Sequence, residues 1–134
     1  MVVDGSRVIL IDTCILIRLS RGEPIPPPIR QVMQAEPWAI SVMSAWEISI
    51  KHHLGKLPLE APPERWWPAT IARYRLEVLD FSEAAALVAG GLPKIHTDPF
   101  DRAIIATGVT RGLAVATVDQ VFAGYSSAGL RLVG

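Results

Sequence analysis

Short apolar runs alternate along the chain with longer amphipathic stretches, and Pro, Gly or a capping polar residue marks each change. Val8-Ile9-Leu10-Ile11 is four apolar residues in a row, the pattern of a strand buried on both faces. The spacing predicts helices over Ile15 to Ser20 and Ile29 to Glu36. Between them Pro24-Ile25-Pro26-Pro27-Pro28 reads as a stiff loop, because proline lacks the N–H that helix interiors and central strands need. Trp38-Ala39-Ile40 reads as a second strand, and Ser44 to Leu54 as a helix ended by Gly55. After Pro62-Pro63 a helix is expected over Glu64 to Tyr74, then a strand over Leu76 to Phe81. Ser82 caps an alanine-rich helix that reaches Gly90-Gly91, and Pro99 to Arg111 forms another, stopped by Gly112. Leu113 to Val118 is a buried strand, a short helix follows Asp119, and Leu130 to Val133 supplies an edge strand.

Strands alternating with helices place the chain in the α/β class, with a parallel sheet covered on both faces. With 134 residues and no internal repeat, it reads as one domain spanning 1–134. In a doubly wound sheet, a helix that follows a strand begins at the sheet's carboxyl edge, where such folds bind ligands. The residues at strand-to-helix junctions are therefore the informative ones.

Four segment junctions carry an acid. Asp12 directly follows the first apolar run, and Asp119 stands past the run Leu113 to Val118. Asp98-Pro99-Phe100-Asp101 opens a helix with proline at its favoured first position. Ser44-Ala45-Trp46-Glu47 has capping-box spacing, which predicts Glu47 in a first helical turn. Taken singly, each has an ordinary structural role available: Asp98 as an N-cap, Asp101 as a first-turn acid, Glu47 as the i,i+4 partner of Lys51, and Asp119 as a cap. Taken together they demand more. Carboxylates about 4 Å apart repel by roughly 4 kcal/mol per pair at an effective dielectric near 20. A domain with about 5–15 kcal/mol of net stability needs a countercharge for several such pairs. A divalent cation meets that need, and an oxygen-only donor set selects Mg²⁺ or Mn²⁺. No spaced Cys or His cluster argues for zinc.

Composition narrows the partners. Thirteen Lys+Arg balance thirteen Asp+Glu, which excludes a strongly basic nucleic-acid binder and leaves any RNA contact to a local patch. Half the residues are hydrophobic and the mean hydropathy is +0.32, in keeping with doubly buried strands and with a surface covered by another subunit. Cys14 is the only cysteine, so no internal disulfide can form, as suits a reducing cytosol. No apolar stretch approaches the ~18 residues of a membrane span, and no secretory leader pattern is present, so a cytoplasmic protein is expected.

The pieces Val8-Ile-Leu-Ile-Asp12-Thr-Cys, Ser41-Val-Met-Ser-Ala-Trp-Glu47-Ile-Ser-Ile-Lys51, His96-Thr-Asp98-Pro-Phe-Asp101-Arg102 and Ala116-Thr-Val-Asp119 resemble the PIN domain, and within it the VapC toxins. They occur in the family's order and span nearly the whole chain from residue 8. The resemblance implies a three-layer α/β/α domain with a central parallel sheet of four or five strands. It implies Mg²⁺- or Mn²⁺-dependent cleavage of RNA by the toxin of a toxin–antitoxin module, a homodimer, and a VapB-type antitoxin that blocks the acidic cleft. It matches the four family acids to Asp12, Glu47, Asp101 and Asp119, with Asp12 and Asp101 holding the principal ion. Ser44 and Thr117 match supporting hydroxyl positions, and Asp98 stands either as a supporting acid or as a helix cap. The sequence departs from some relatives in its leader, Met1 to Arg7, and in having Gln120-Val121 where another acid can follow the fourth.

Arg18, Lys51, His52, His53, Lys56 and Arg102 are candidates for a phosphate-binding rim, although basic residues on exposed helix faces commonly do no more than solvate the fold. His96 reads as a helix-flanking surface residue, and Trp66-Trp67 as a core or subunit contact before a base-stacking pair. A non-catalytic PIN-like scaffold is the alternative. A phosphatase-type domain is disfavoured because Cys14 stands where an Asp-x-Asp pair would need its second acid, and no phosphate-cradling glycine motif is present.

Overall fold

The computed structural model describes residues 8–95 and 98–133. The leader and His96 lie outside the described residues. Among the described residues five parallel strands form one sheet in the order β3-β2-β1-β4-β5. They are β1 (Ile9–Ile11), β2 (Trp38–Ser41), β3 (Glu77–Leu79), β4 (Ala114–Ala116) and β5 (Arg131–Leu132). Among the described residues six α-helices connect them: α1 (Thr13–Ser20), α2 (Pro27–Ala35), α3 (Val42–His53), α4 (Pro63–Tyr74), α5 (Glu83–Gly91) and α6 (Pro99–Arg111). The segment Gln120–Ala128 winds in 3-10 turns.

The apolar runs split cleanly between the faces, because successive strand side chains point to opposite sides. Leu10, Ala39 and Val115 pack with Ile104, Ile105, Phe122 and Tyr125 in one core. Ile9, Ile11, Ile40 and Ala116 pack on the other side with Ile15, Leu16, Ile29, Ile48 and Trp66. The result is the expected α/β/α sandwich, with five strands. Trp66 belongs to the core as anticipated, while Trp46 is the exposed tryptophan, 56% accessible and edge-on to Phe100 with ring centroids 5.3 Å apart.

Two local expectations shift. Pro27 and Pro28 are not loop: they form the first turn of α2, where an N–H would have no intrahelical partner to lose. Nor does Ser44 cap α3. Strand β2 runs straight into α3, so Ser41, the last strand residue, takes the cap by accepting from Met43 N, and Glu47 falls in the second turn. There it is buried and carried down into the fold. Ser82 and Asp98 cap the starts of α5 and α6, and Gly112 stops α6 in the left-handed conformation (φ 66°), as the sequence indicates.

Helix α6 lies close enough to β4 that it needs a glycine. A Cβ at Gly108 would stand 2.8 Å from Val115 Cγ2 and 3.3 Å from the Leu113 carbonyl oxygen. Alanine is the better helix former by about 1 kcal/mol. Overpacking against the Val115 side chain costs about 1–3 kcal/mol, so the clash wins. Gly108→Ala is expected to lower unfolding free energy, measured by urea denaturation; a gain would show that α6 can retreat from the sheet.

Candidate metal centre

Chain order reverses beside β1: β2 and β3 lie to one side of it, β4 and β5 to the other. The carboxyl ends of β1 and β4 therefore flank the crevice where such sheets take ligands. Ile11 is in register with Ala116, and Asp12 N donates to the Ala116 carbonyl at 2.9 Å, so the residues after both strands are held side by side. Asp12 follows β1 directly, and Thr117 follows β4.

Asp12 is buried, with every oxygen engaged. Its Oδ1 accepts from Thr13 N at 2.8 Å, and its Oδ2 from Thr117 Oγ1 at 2.7 Å and from the Cys14 thiol at 3.2 Å. Thr117 Oγ1 also accepts from Asp119 N at 3.0 Å, so one hydroxyl ties the fourth acid's backbone to the first acid's side chain. Asp119 Oδ1 caps the 3-10 segment through Val121 N. Ser44 Oγ is 2.7 Å from Thr13 Oγ1, locking α3 to α1 beneath the acids.

Glu47 comes up from α3. It is 4% exposed; its Oε2 accepts from Lys51 Nζ at 2.5 Å, and its Oε1 is buried with no hydrogen-bond partner. Asp98 and Asp101 arrive from the start of α6, which runs back over the sheet to feed β4. One ligand atom each from Glu47, Asp98 and Asp101 lie within 4.8 Å of one another. Asp98 thus plays two parts, since its Oδ1 also accepts from Phe100 N and Asp101 N as the cap of α6. This trio differs from the expected leading pair of Asp12 and Asp101: Asp98 stands in it, and Asp12 lines the same cavity beside it.

All four acids matched by the resemblance, and Asp98, line one cavity of about 400 Å³. Arg18 and Lys51 also line it. Lys56 and His53 are exposed and His52 half-buried, all three outside this lining; the two histidine Nδ1 atoms pair with the carbonyls of Leu57 and Ser49. Arg102 faces elsewhere: its guanidinium donates to the carbonyls of Ala89, Leu92 and Pro93, satisfying groups left open at the end of α5. Its positive charge favours that helix end, which is why a basic residue beside two acids does not reach the cavity.

Thr13, Arg21 and Glu23 line the cavity as well. Thr13 has no sequence signal, as its partner Ser44 is 31 positions away. Arg21 was legible: Cys14, Ile17, Arg18 and Arg21 follow i, i+3, i+4, i+7 spacing and line one wall together. Arg21 Nη2 also donates to the Pro58 carbonyl at 3.2 Å.

Electrostatics set the demand for a cation. Burial raises the Asp12 carboxyl above its ordinary value of 3.8, against the lowering effect of the Thr117 and Cys14 hydrogen bonds, and the Glu47 charge adds to the rise. Burial, with Asp12 next to it, pushes the Cys14 thiol up to about 12, so sulfur stands here as a protonated donor and not a thiolate ligand. Burial works to lower the Lys51 ammonium, but the hydrogen bond and charge of Glu47, with Asp98 and Asp101 behind, outweigh it and the net shift is upward. The donors fit a hard cation: they are all carboxylate oxygens, and one of them, Glu47 Oε1, is buried and unpaired.

An acid whose folded pKa is raised stabilises the fold below its unfolded value and loses that contribution as pH climbs through the folded one. Metal-free protein is therefore expected to lose stability, through Asp12, from about pH 3.8 up to that raised value. Asp12→Asn removes the effect. Thermal melts in chelator across pH are expected to show the variant gaining on wild type as pH rises. A constant difference would mean that Asp12 is ionised at no cost.

Compared with known protein families, the chain matches the PIN domain over residues 9–127. No curated protein sequence matches it. Among solved structures it is similar to VapBC2 of Rickettsia felis bound to a promoter DNA fragment, at 16% identity and a TM-score of 0.67, covering 93% of this chain and 96% of that one. It is also similar to a toxin–antitoxin complex of Klebsiella pneumoniae, at 23% identity and 0.64, covering 94% and 96%. DNA-bound VapBC of Salmonella typhimurium matches at 24% identity and 0.62, covering 92% and 95%. At these identities the likeness speaks for the fold, and the match across most of the sequence speaks for the family. The chain belongs to the PIN domain family.

Proposed function

We propose that this protein is a Mg²⁺- or Mn²⁺-dependent endoribonuclease acting as the VapC-type toxin of a toxin–antitoxin module. The observation that carries the reading is the gathering of Asp12, Glu47, Asp98, Asp101 and Asp119 around one cavity, with a buried carboxylate oxygen left unpaired. Asp12, Glu47, Asp101 and Asp119, with Asp98, would hold the ion. When bound, it lowers the pKa of a water and neutralises charge growing on the phosphate.

The protein's own groups prepare the rest. Thr117 fixes the orientation of Asp12 and the backbone of Asp119 with one hydroxyl. Arg18 and Arg21 place two guanidinium groups on the α1 wall, opposite in sign to the acids and suited to the phosphates of single-stranded RNA. This is the local patch that a chain of zero net charge needs for RNA, and the affinity is expected to fall as salt rises. Hydrolysis leaves a 5′-phosphate and a 3′-hydroxyl. A VapB-type antitoxin is the proposed partner, supported by the toxin–antitoxin complexes among the structural relatives. A homodimer is proposed on the high apolar content and on exposed side chains such as Leu87, 75% accessible. Among the described residues no helix is long and apolar enough to cross a membrane.

Cleavage of total RNA by purified protein tests the proposal. Asp12→Asn and Asp101→Asn keep side-chain volume and remove charge, and each is expected to cut the rate by about 100-fold or more, as for loss of a group stabilising transition-state charge. Chelation should abolish cleavage and Mn²⁺ restore it. Near wild-type rates in both variants under saturating Mg²⁺ would end the nuclease reading.

A further inference from the structure

Glu47 offers its two oxygens to different environments. Oε2 is taken by Lys51 Nζ at 2.5 Å, and Oε1 is buried and unpaired. Lys51 also feels the charges of Asp98 and Asp101, the other two members of the trio whose ligand atoms lie within 4.8 Å of one another. An ammonium thus already stands against one carboxylate of the trio, within the influence of the charges on the other two. Its side chain is 44% exposed at the cavity, so solvent reaches the lysine while the carboxylate it holds stays buried.

We propose that Lys51 is the resident counter-cation of the Glu47–Asp98–Asp101 trio and that its charge limits how tightly the trio takes a divalent ion. The inference rests on the proposed metal-dependent reading. Without metal, three negative charges and one positive leave the trio two charges short of neutral, which one divalent ion supplies. Glu47 Oε1 is the oxygen still free to receive it. Once the ion is there, the ammonium on the neighbouring oxygen repels it across a distance of a few ångströms, where like charges interact strongly even near a protein surface. Lys51 also steadies Glu47, an effect of opposite sign on metal affinity. A positioning hydrogen bond is the smaller of the two, because it acts on one rotamer whereas the repulsion acts on a double charge.

Calorimetric titration with Mn²⁺ separates these effects. Lys51→Met is expected to bind Mn²⁺ at least tenfold more tightly than wild type, and Lys51→Arg about as wild type. Lys51→Met leaves Glu47 buried without a partner, so Lys51→Gln, which retains a donor, serves as the variant if the first fails to fold; it too should bind more tightly. Equal or weaker binding by a folded, uncharged variant overturns the role given to Lys51. A wild type that binds no Mn²⁺ overturns this inference and the metal-dependent reading together, whereas binding by wild type with no gain on removing Lys51 leaves that reading standing.

Discussion

Repulsion among crowded carboxylates, of which Asp12 and Glu47 are buried, is the constraint that organises this molecule. Six acids line one cavity at the carboxyl edge of the sheet: Glu23 is paired there with Arg21, and of the other five Glu47 is both buried and half-unpaired. Such an arrangement works against folding, since Asp12 and Glu47 lose water and each acid gains a like-charged neighbour. The fold tolerates it through local compensation: Thr13, Thr117 and Cys14 donate to Asp12, Lys51 donates to Glu47, and backbone amides donate to Asp98. What these donors leave over is a net negative pocket with hard oxygen ligands, suited to a divalent cation.

The sheet is what brings the acids together. Asp12 and Asp119 reach the cavity because β1 and β4 are neighbours whose connections depart in opposite senses. Glu47 reaches it because β2 passes into α3 with no intervening loop, and Asp98 and Asp101 because α6 starts above the same edge. Close seating of α6 on β4 at Gly108 belongs to the same requirement, as it fixes the helix that carries two of the acids.

Much of this was legible in the sequence. Runs such as Ile9–Ile11 announced doubly buried strands, and strand-to-helix alternation announced a parallel sheet, which in turn said where Asp12 and Asp119 must lie. Other features were not legible because they depend on contacts between distant segments or on a competition between equivalent local signals. Ser41 and Ser44 are both competent caps, and only the direct passage from strand to helix decides for Ser41. Arg102 looked like part of a basic rim, but the open carbonyls at the end of α5 claim it. Asp98 was ambiguous between cap and ligand; the structure shows that capping with Oδ1 does not remove it from the trio.

The most direct test of the central claim is a crystal of the protein grown with Mn²⁺ and measured for the metal's anomalous scattering. The account expects a peak within coordination distance of Glu47 Oε1, shared with Asp98 and Asp101. Data of adequate resolution with no peak in this cavity, or with the Glu47 carboxylate turned away from the ion, would contradict it.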